Sequence, residues 1–356
     1  MSTTDSPNIK TSNNNFDIVR LILALVVVFS HIRDLNNINS RFFSIFSGDF
    51  AVECFFVISG YLIIRSFKNN QNIRKYIFSR GMRILPMYYV SIVSFFVILF
   101  FISHLSVVEY LKEGGIRYLV FNGVFLNFIQ PSLPGVFVDN PRISAVNGAL
   151  WTIKVEILFY IFVPFFVLFI KKINRHIIPI FIILILSSIV FKWIVTDYHQ
   201  ILHIPEQLVN QLPSVLSYFL LGGLVNYLDL SKISKKTVFW FFIVSAFYLL
   251  LSSKTSLDLL VRPFVIAGFI LPICLQRKFL ISVPEKMGDL SYGIYVTHFP
   301  LVQLLIAVGL YNSFWLGFCL TFTSLFILSF ISWHLIEKPA LRFAKSAGKN
   351  KVVRGV

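Results

Sequence analysis

The sequence predicts an all-α integral membrane protein, a bundle of about ten transmembrane helices with both termini on the cytoplasmic side. Three observations carry that expectation. Of the 356 residues, 56% are hydrophobic and only 13% charged, against about 25% charged in a soluble domain. Mean hydropathy is +0.78. Apolar runs recur at lengths suited to a hydrocarbon core, and Lys and Arg gather in alternate connections between them.

The runs lie at about 17–34, 43–64, 83–104, 149–170, 176–195, 212–228, 237–252, 258–275, 290–309 and 313–336. Several are short enough to be tilted or broken, which sets a range of nine to eleven spans. Ahead of the first, MSTTDSPNIKTSNNN is polar, without the basic, apolar and cleavage regions of a secretory signal, so 1–15 reads as a cytoplasmic tail. The connection between runs two and three carries Arg65, Lys68, Arg74, Lys75, Arg80 and Arg83. Basic groups recur at 171–175, 232–236 and 277–286, and in a tail over 341–356. The opposite set is poor, with Arg33, Arg41, Lys112, Arg117, Arg142, Lys254 and Arg262 scattered along it. Altogether 23 of the 32 Lys and Arg fall on one side, which the positive-inside rule makes cytoplasmic. The net charge of +16 is therefore a topology signal, and no nucleic-acid partner is expected. Residues 105–148 form the longest connection; Pro131, Pro134, Gly135 and Pro141 mark it as an outside loop with short helical pieces. Cys54, Cys274 and Cys319 lie in apolar runs without CxxC spacing and imply no disulfide framework.

The first run, FDIVRLILALVVVFSHIRD, holds Arg20 and His31 eleven positions apart. At 100° per residue they share one helix face, about 16 Å apart along the axis. Ionisable groups within a membrane face a protein interior or a wet cavity and are functional candidates by default. Arg80 and Arg83, at i and i+3, share a face at the cytoplasmic start of the third run, where two guanidinium forks suit phosphate. Positive-inside anchoring is the plainer account of that pair. Glu53 lies inside the second run, and Glu156 enters the fourth from outside, one turn after Trp151. Buried carboxylates of this kind need a cation or hydrogen-bond donors, so structural pairing is the alternative to a catalytic role. His298, in SYGIYVTHFPL, is a secondary candidate that could equally be a satisfied packing group. His199 and His203 have i, i+4 ligand spacing but only Asp197 and Glu206 nearby, so no metal is expected. GxSxG, HExxH, Walker and GxGxxG patterns are absent. A phosphate-gripping inner mouth and an outer His/Glu set opening onto one shared tunnel would suit a cytosolic phosphorylated donor and an acceptor arriving from outside.

At these residues the chain resembles acyltransferase family 3, the integral-membrane acyltransferases that modify bacterial surface glycans. The resemblance rests on Arg20-x10-His31, ECFFVISGYLI at 53–63, Arg80-x-x-Arg83 with ILPMYY, WTIKVEILFY at 151–160, SYGIYVTHFPL at 291–301 and EKP at 337–339. It departs where Glu53 stands for a common Asp and Thr152 for a common Ser. The resemblance implies a membrane domain over 16–340, in the form without a fused SGNH domain, in the cell inner membrane. It also implies an acyl-CoA donor, most often acetyl-CoA, and a sugar hydroxyl on a lipid-linked or polymeric glycan as acceptor. Carried over, Arg80 and Arg83 hold coenzyme A phosphates, and Arg20 and His31 belong to the active path. His31 is then expected as general base, with Glu53 or Glu156 orienting it, and an acyl-histidine relay as the variant. The competing class is a transporter or flippase for lipid-linked sugars.

Overall fold

A computed structural model of the chain describes residues 15–38, 47–142, 144–203, 205–229, 231, 233–251, 256–276, 284 and 286–353. The expected cytoplasmic tail up to residue 14, together with Arg41, Lys232, Lys254, Arg277, Lys278 and Arg354, lies outside the described residues. Among the described residues the regular secondary structure is all helical, with no strand. Its principal helices are α1 (Phe16–Leu35), α2 (Gly48–Asn69), α3 (Ile73–Phe100), α4 (Trp151–Ile173), α5 (Ile177–Tyr198), α6 (Leu212–Leu224), α7 (Lys235–Leu251), α8 (Ser256–Leu275), α9 (Ser291–Ala307), α10 (Phe314–Ser332) and α11 (Lys338–Val353).

Seven described helices are long and apolar enough to cross a bilayer, and α9 is a shorter apolar helix. The seven include α2 to α5, Leu208–Tyr227, Asp258–Leu275 and Phe314–Ala347. The helix α1 is not among them because Asp17, Arg20, Arg33 and Asp34 crowd both of its ends. Two boundaries differ from the hydropathy reading. The helix α3 begins at Ile73, where the Asn72 side chain accepts from the Lys75 amide at 2.9 Å, ten residues before the apolar run. Its first turns are basic, and hydropathy alone does not see a helix that continues out of the apolar layer. At the other end, α10 passes through a wide turn at Trp333–Glu337 into α11, which packs back on α3 through Phe343 and Phe78. The connection over 105–148 contains short helices at Val107–Tyr110 and Ile116–Gly123, the first closed by a Ser106–Glu109 capping box.

Without water to expel between them, membrane helices associate by close packing, which favours small residues at the contact. The seam between α2 and α6 is such a contact. A Cβ at Gly60 would stand 1.8 Å from the Phe219 carbonyl oxygen, and one at Gly222 would stand 1.9 Å from that of Val57. Beside the seam, the Phe159 and Phe219 rings stack at 3.9 Å and bring α4 onto the pair. The helix α9 is buried along its length between α1 and α10; Gly293 admits the backbone of Ser329 there.

Candidate active site

The helices α1, α2, α3, α4 and α9 enclose a cavity of about 540 Å³, a volume typical of small-molecule sites. Its wall on α2 is mostly apolar, with Phe55, Phe56 and Leu62. Its charge is not balanced: Arg20, Arg65, Arg80 and Arg83 face two lining carboxylates, Asp17 and Glu156.

Three of the four arginines are the predicted ones, and the structure brings them together. Arg20 from α1 and Arg83 from α3 converge on one carboxylate oxygen of Asp289, at 3.1 and 2.8 Å. Burial disfavours the charge on Asp289, yet the two guanidinium groups and hydrogen bonds from Ser291 hold its carboxyl well below the ordinary range. Its second oxygen accepts from the Ser291 hydroxyl at 2.5 Å and from the Ser291 amide at 3.3 Å, at the N-terminus of α9. Arg80 is held differently. Its guanidinium lies over the Tyr76 and Tyr160 rings at 5.9 and 5.8 Å, with no carboxylate in ion-pair reach among the described residues. Glu156 accepts from the Tyr160 hydroxyl at 2.7 Å, which fixes both groups on one face of α4. Trp151, at the first turn of α4, packs edge-on to Phe56 at 6.3 Å and thereby backs the cavity wall.

The cavity ends at Thr152 and Tyr295. The Thr152 hydroxyl donates to the Ala149 carbonyl at 2.9 Å, so in its 2.7 Å contact with Tyr295 it accepts from the phenol. Directly behind, the Tyr295 and His298 rings lie edge to face at 5.7 Å. His298 is fully buried; its Nε2 is 2.9 Å from Nδ1 of the partly exposed His31. His31 also meets Phe299 edge-on at 5.0 Å, and Gly148 leaves the room that ring occupies. The expectation of one open tunnel from the arginines to His31 is thus corrected. Neither His31 nor His298 lines the cavity; the Tyr295 ring does, and it packs against His298.

Glu53 is placed elsewhere. Its carboxylate takes two hydrogen bonds from Nε of Arg262, at 3.0 and 2.8 Å, and one from the Tyr218 hydroxyl at 2.8 Å. Lys192 approaches to 3.8 Å, and Arg262 in turn reaches Asp258 at 3.3 Å. Arg262 and Lys192 therefore sit inside the bundle on α8 and α5, rather than in the outer connections where charge counting puts Arg262. Among the described residues no group of three or more His, Cys, Asp or Glu side chains is close enough to hold a metal ion.

Sequence reading missed Asp289, Tyr295 and the partnership of His31 with His298. An acidic residue two positions before an apolar helix on the basic side was a usable signal for Asp289. The other two depend on contacts between distant segments, 143 residues apart for Tyr295 with Thr152 and 267 for His31 with His298.

The cavity thus combines an excess of arginine with an apolar wall, and an imidazole pair lies beyond Tyr295. No solved structure matches the chain. Nodulation protein 10 of Rhizobium leguminosarum bv. viciae is 26% identical over 94% of each chain. An O-acetyl transferase of Shigella phage Sf6 is 27% identical over 92% of this chain and 96% of its own length. A putative acetyltransferase of Acidianus two-tailed virus, ORF330, is 25% identical over 82% and 84%. The family model described as an acyltransferase domain matches residues 13–335. With a family model matching nearly its whole length, this multi-pass helical chain belongs to the acyltransferase 3 family.

Proposed function

We propose that the chain takes an acyl group, acetyl by preference, from cytosolic acyl-CoA and delivers it to a hydroxyl of an extracytoplasmic glycan. In this reading all ten helices α1 to α10 cross the cell inner membrane, and both termini are cytoplasmic. Arg20, Arg80 and Arg83 bind the coenzyme A phosphates at the inner mouth. Asp289 neutralises only one of the two guanidinium groups that it holds, so anion-binding capacity remains. The pantetheine arm follows the apolar face of α2 to Thr152 and Tyr295. There the Tyr295 ring swings aside, and the thioester carbonyl reaches His31. His31 accepts the proton of the glycan hydroxyl, the oxygen attacks the carbonyl, the ester forms, and the coenzyme A thiolate leaves and takes a proton. General-base help of this kind is worth about 10²–10⁴-fold. Glu156 faces the cavity and is the nearer of the two expected carboxylates to the donor path; Glu53 serves the bundle.

The observation that carries the reading is the arginine-rich cavity whose closed end, Tyr295, abuts the histidine pair. The test supplies labelled acetyl-CoA to the cytoplasmic face of inverted vesicles and seeks label on glycan. Label on glycan, lost in His31→Ala at equal protein level, is the expected result. Vesicles that translocate a lipid-linked sugar but transfer no label would overturn it in favour of a transporter.

A further inference from the structure

The hydrogen bonds around the two imidazoles leave one proton arrangement. Nδ1 of His298 lies 2.7 Å from the Tyr295 backbone carbonyl, which can only accept. His298 therefore carries its proton on Nδ1 and, as a neutral ring, offers a bare lone pair at Nε2. That lone pair faces Nδ1 of His31 at 2.9 Å. Two bare nitrogens would repel, so Nδ1 of His31 is the donor. The proton of a neutral His31 is thereby committed to the contact, and its Nε2 on the far side of the ring is the unprotonated one. The chain of donors is anchored on backbone, which neither titrates nor rotates.

We infer that His298 is a positioning residue that fixes the tautomer and ring orientation of His31, occupying the place a carboxylate takes beside a catalytic histidine. The inference rests on the reading of His31 as the base. A neutral orienting group suits this location. His298 is fully buried beneath the Tyr295 and Phe299 rings, where a carboxylate would need a cation of its own. The arrangement also separates duties: Asn147 donates to the Val296 carbonyl at 2.8 Å and Thr297 to that of Gly293, pinning the helix turn that carries His298. The same Tyr295 anchors His298 through its carbonyl and closes the cavity with its ring. Movement of the ring about its own side-chain bonds leaves the anchoring carbonyl in place, so the cavity can open without disturbing the base.

The decisive measurement is the ¹⁵N spectrum of histidine-labelled full-length protein in bilayers. There are seven His residues, and His31→Gln and His298→Gln identify the two resonance sets of interest. At neutral pH both rings should show a protonated Nδ1 and a bare Nε2. A His31 protonated on Nε2 overturns the inference, whatever the activity. The kinetic arm uses His298→Phe, which keeps the bulk but offers no acceptor. It should lower kcat by about 10²-fold or more and leave KM for acyl-CoA unchanged, the signature of an interaction felt only during the chemistry. His298→Gln, whose amide oxygen can accept from His31, should recover a large part of that loss. Wild-type kcat in His298→Phe, or no difference between the Phe and Gln variants, would also overturn it. If the spectrum shows the expected tautomers while the wild-type protein transfers no acyl group, the acyl-transfer reading falls and the ring arrangement stands.

Discussion

Two regions of the bundle place one carboxylate between two cations, and they do so to different ends. Around Glu53, the groups close on one another. Arg262 engages the carboxylate through two hydrogen bonds, Tyr218 supplies a third, Lys192 stands behind, and Asp258 takes the remaining side of Arg262. Two positive and two negative side chains balance within packed helices. Around Asp289 the grouping is looser: that carboxylate holds Arg20 and Arg83, Arg80 rests on aromatic faces, and with Arg65 the four arginines at the cavity outnumber Asp289, Asp17 and Glu156. Buried charge that is locally balanced holds helices in register. Buried charge left in excess beside empty volume is a place for a ligand of opposite sign.

The contrast breaks most sharply at Arg262. Arg262→Ala leaves Glu53 and Asp258 without their shared partner, and losing one side of a buried pair costs about 3–5 kcal/mol. The expected outcome is a large fall in the thermal midpoint in detergent, with acyl-CoA affinity of the folded fraction unchanged; a lower affinity at unaltered stability would exchange the roles of the two regions. Arg83→Ala should do the reverse. Asp289 keeps Arg20, so the fold persists, while loss of one charge-assisted contact of about 1.5–3 kcal/mol weakens acyl-CoA binding roughly tenfold to hundredfold in a calorimetric titration. Arg80→Ala, with no carboxylate partner to strand, should weaken donor binding by about tenfold and leave the midpoint untouched. Tyr295→Phe removes only the hydrogen bond to Thr152, worth about 1 kcal/mol. Its mark should be faster acyl-CoA hydrolysis without acceptor, as the ring no longer latches; an unchanged hydrolysis rate would argue against a closure there.

A smaller effect concerns pH. The folded-state pKa of Asp289 is held below its unfolded value, near 3.9. The pairing therefore stabilises the protein fully above about pH 4, and its contribution is lost only as the pH falls further, through the folded value. The contribution of this pairing should be constant from about pH 5 upward, and Asp289→Asn should remove the acid limb that lies below; a limb unchanged in the variant would assign it to another carboxylate.

The helical class and the positions of the principal helices were legible in the sequence, because hydropathy is a property of each segment by itself. That Arg20 and His31 turn to one side of α1, and Arg80 and Arg83 to one side of α3, was legible for a similar reason: helical periodicity places residues around each helix axis. Partner choice was not. That Arg20 meets Asp289, or Glu53 meets Arg262 rather than His31, depends on which helices neighbour one another and at what rotation. Counting charges near span ends assigned Arg262 to a connection, whereas its helix begins several residues earlier, at Ser256. The start of α3 carried a readable sign in Asn72, a good N-cap residue, but an apolar window set the boundary at the first greasy turn.

The backbone contact at Gly60 and Gly222 bears on what cargo the protein can be made to accept. The helix α2 supplies the greasy wall of the arginine-rich cavity from one side while its opposite side rests directly on the peptide groups of α6. That wall has no slack to retreat when a bulkier thioester is offered. Room for longer chains would have to come from trimming Phe55, Phe56 or Leu62, and the rigid spine behind them would keep such a widened slot in the same shape from one turnover to the next.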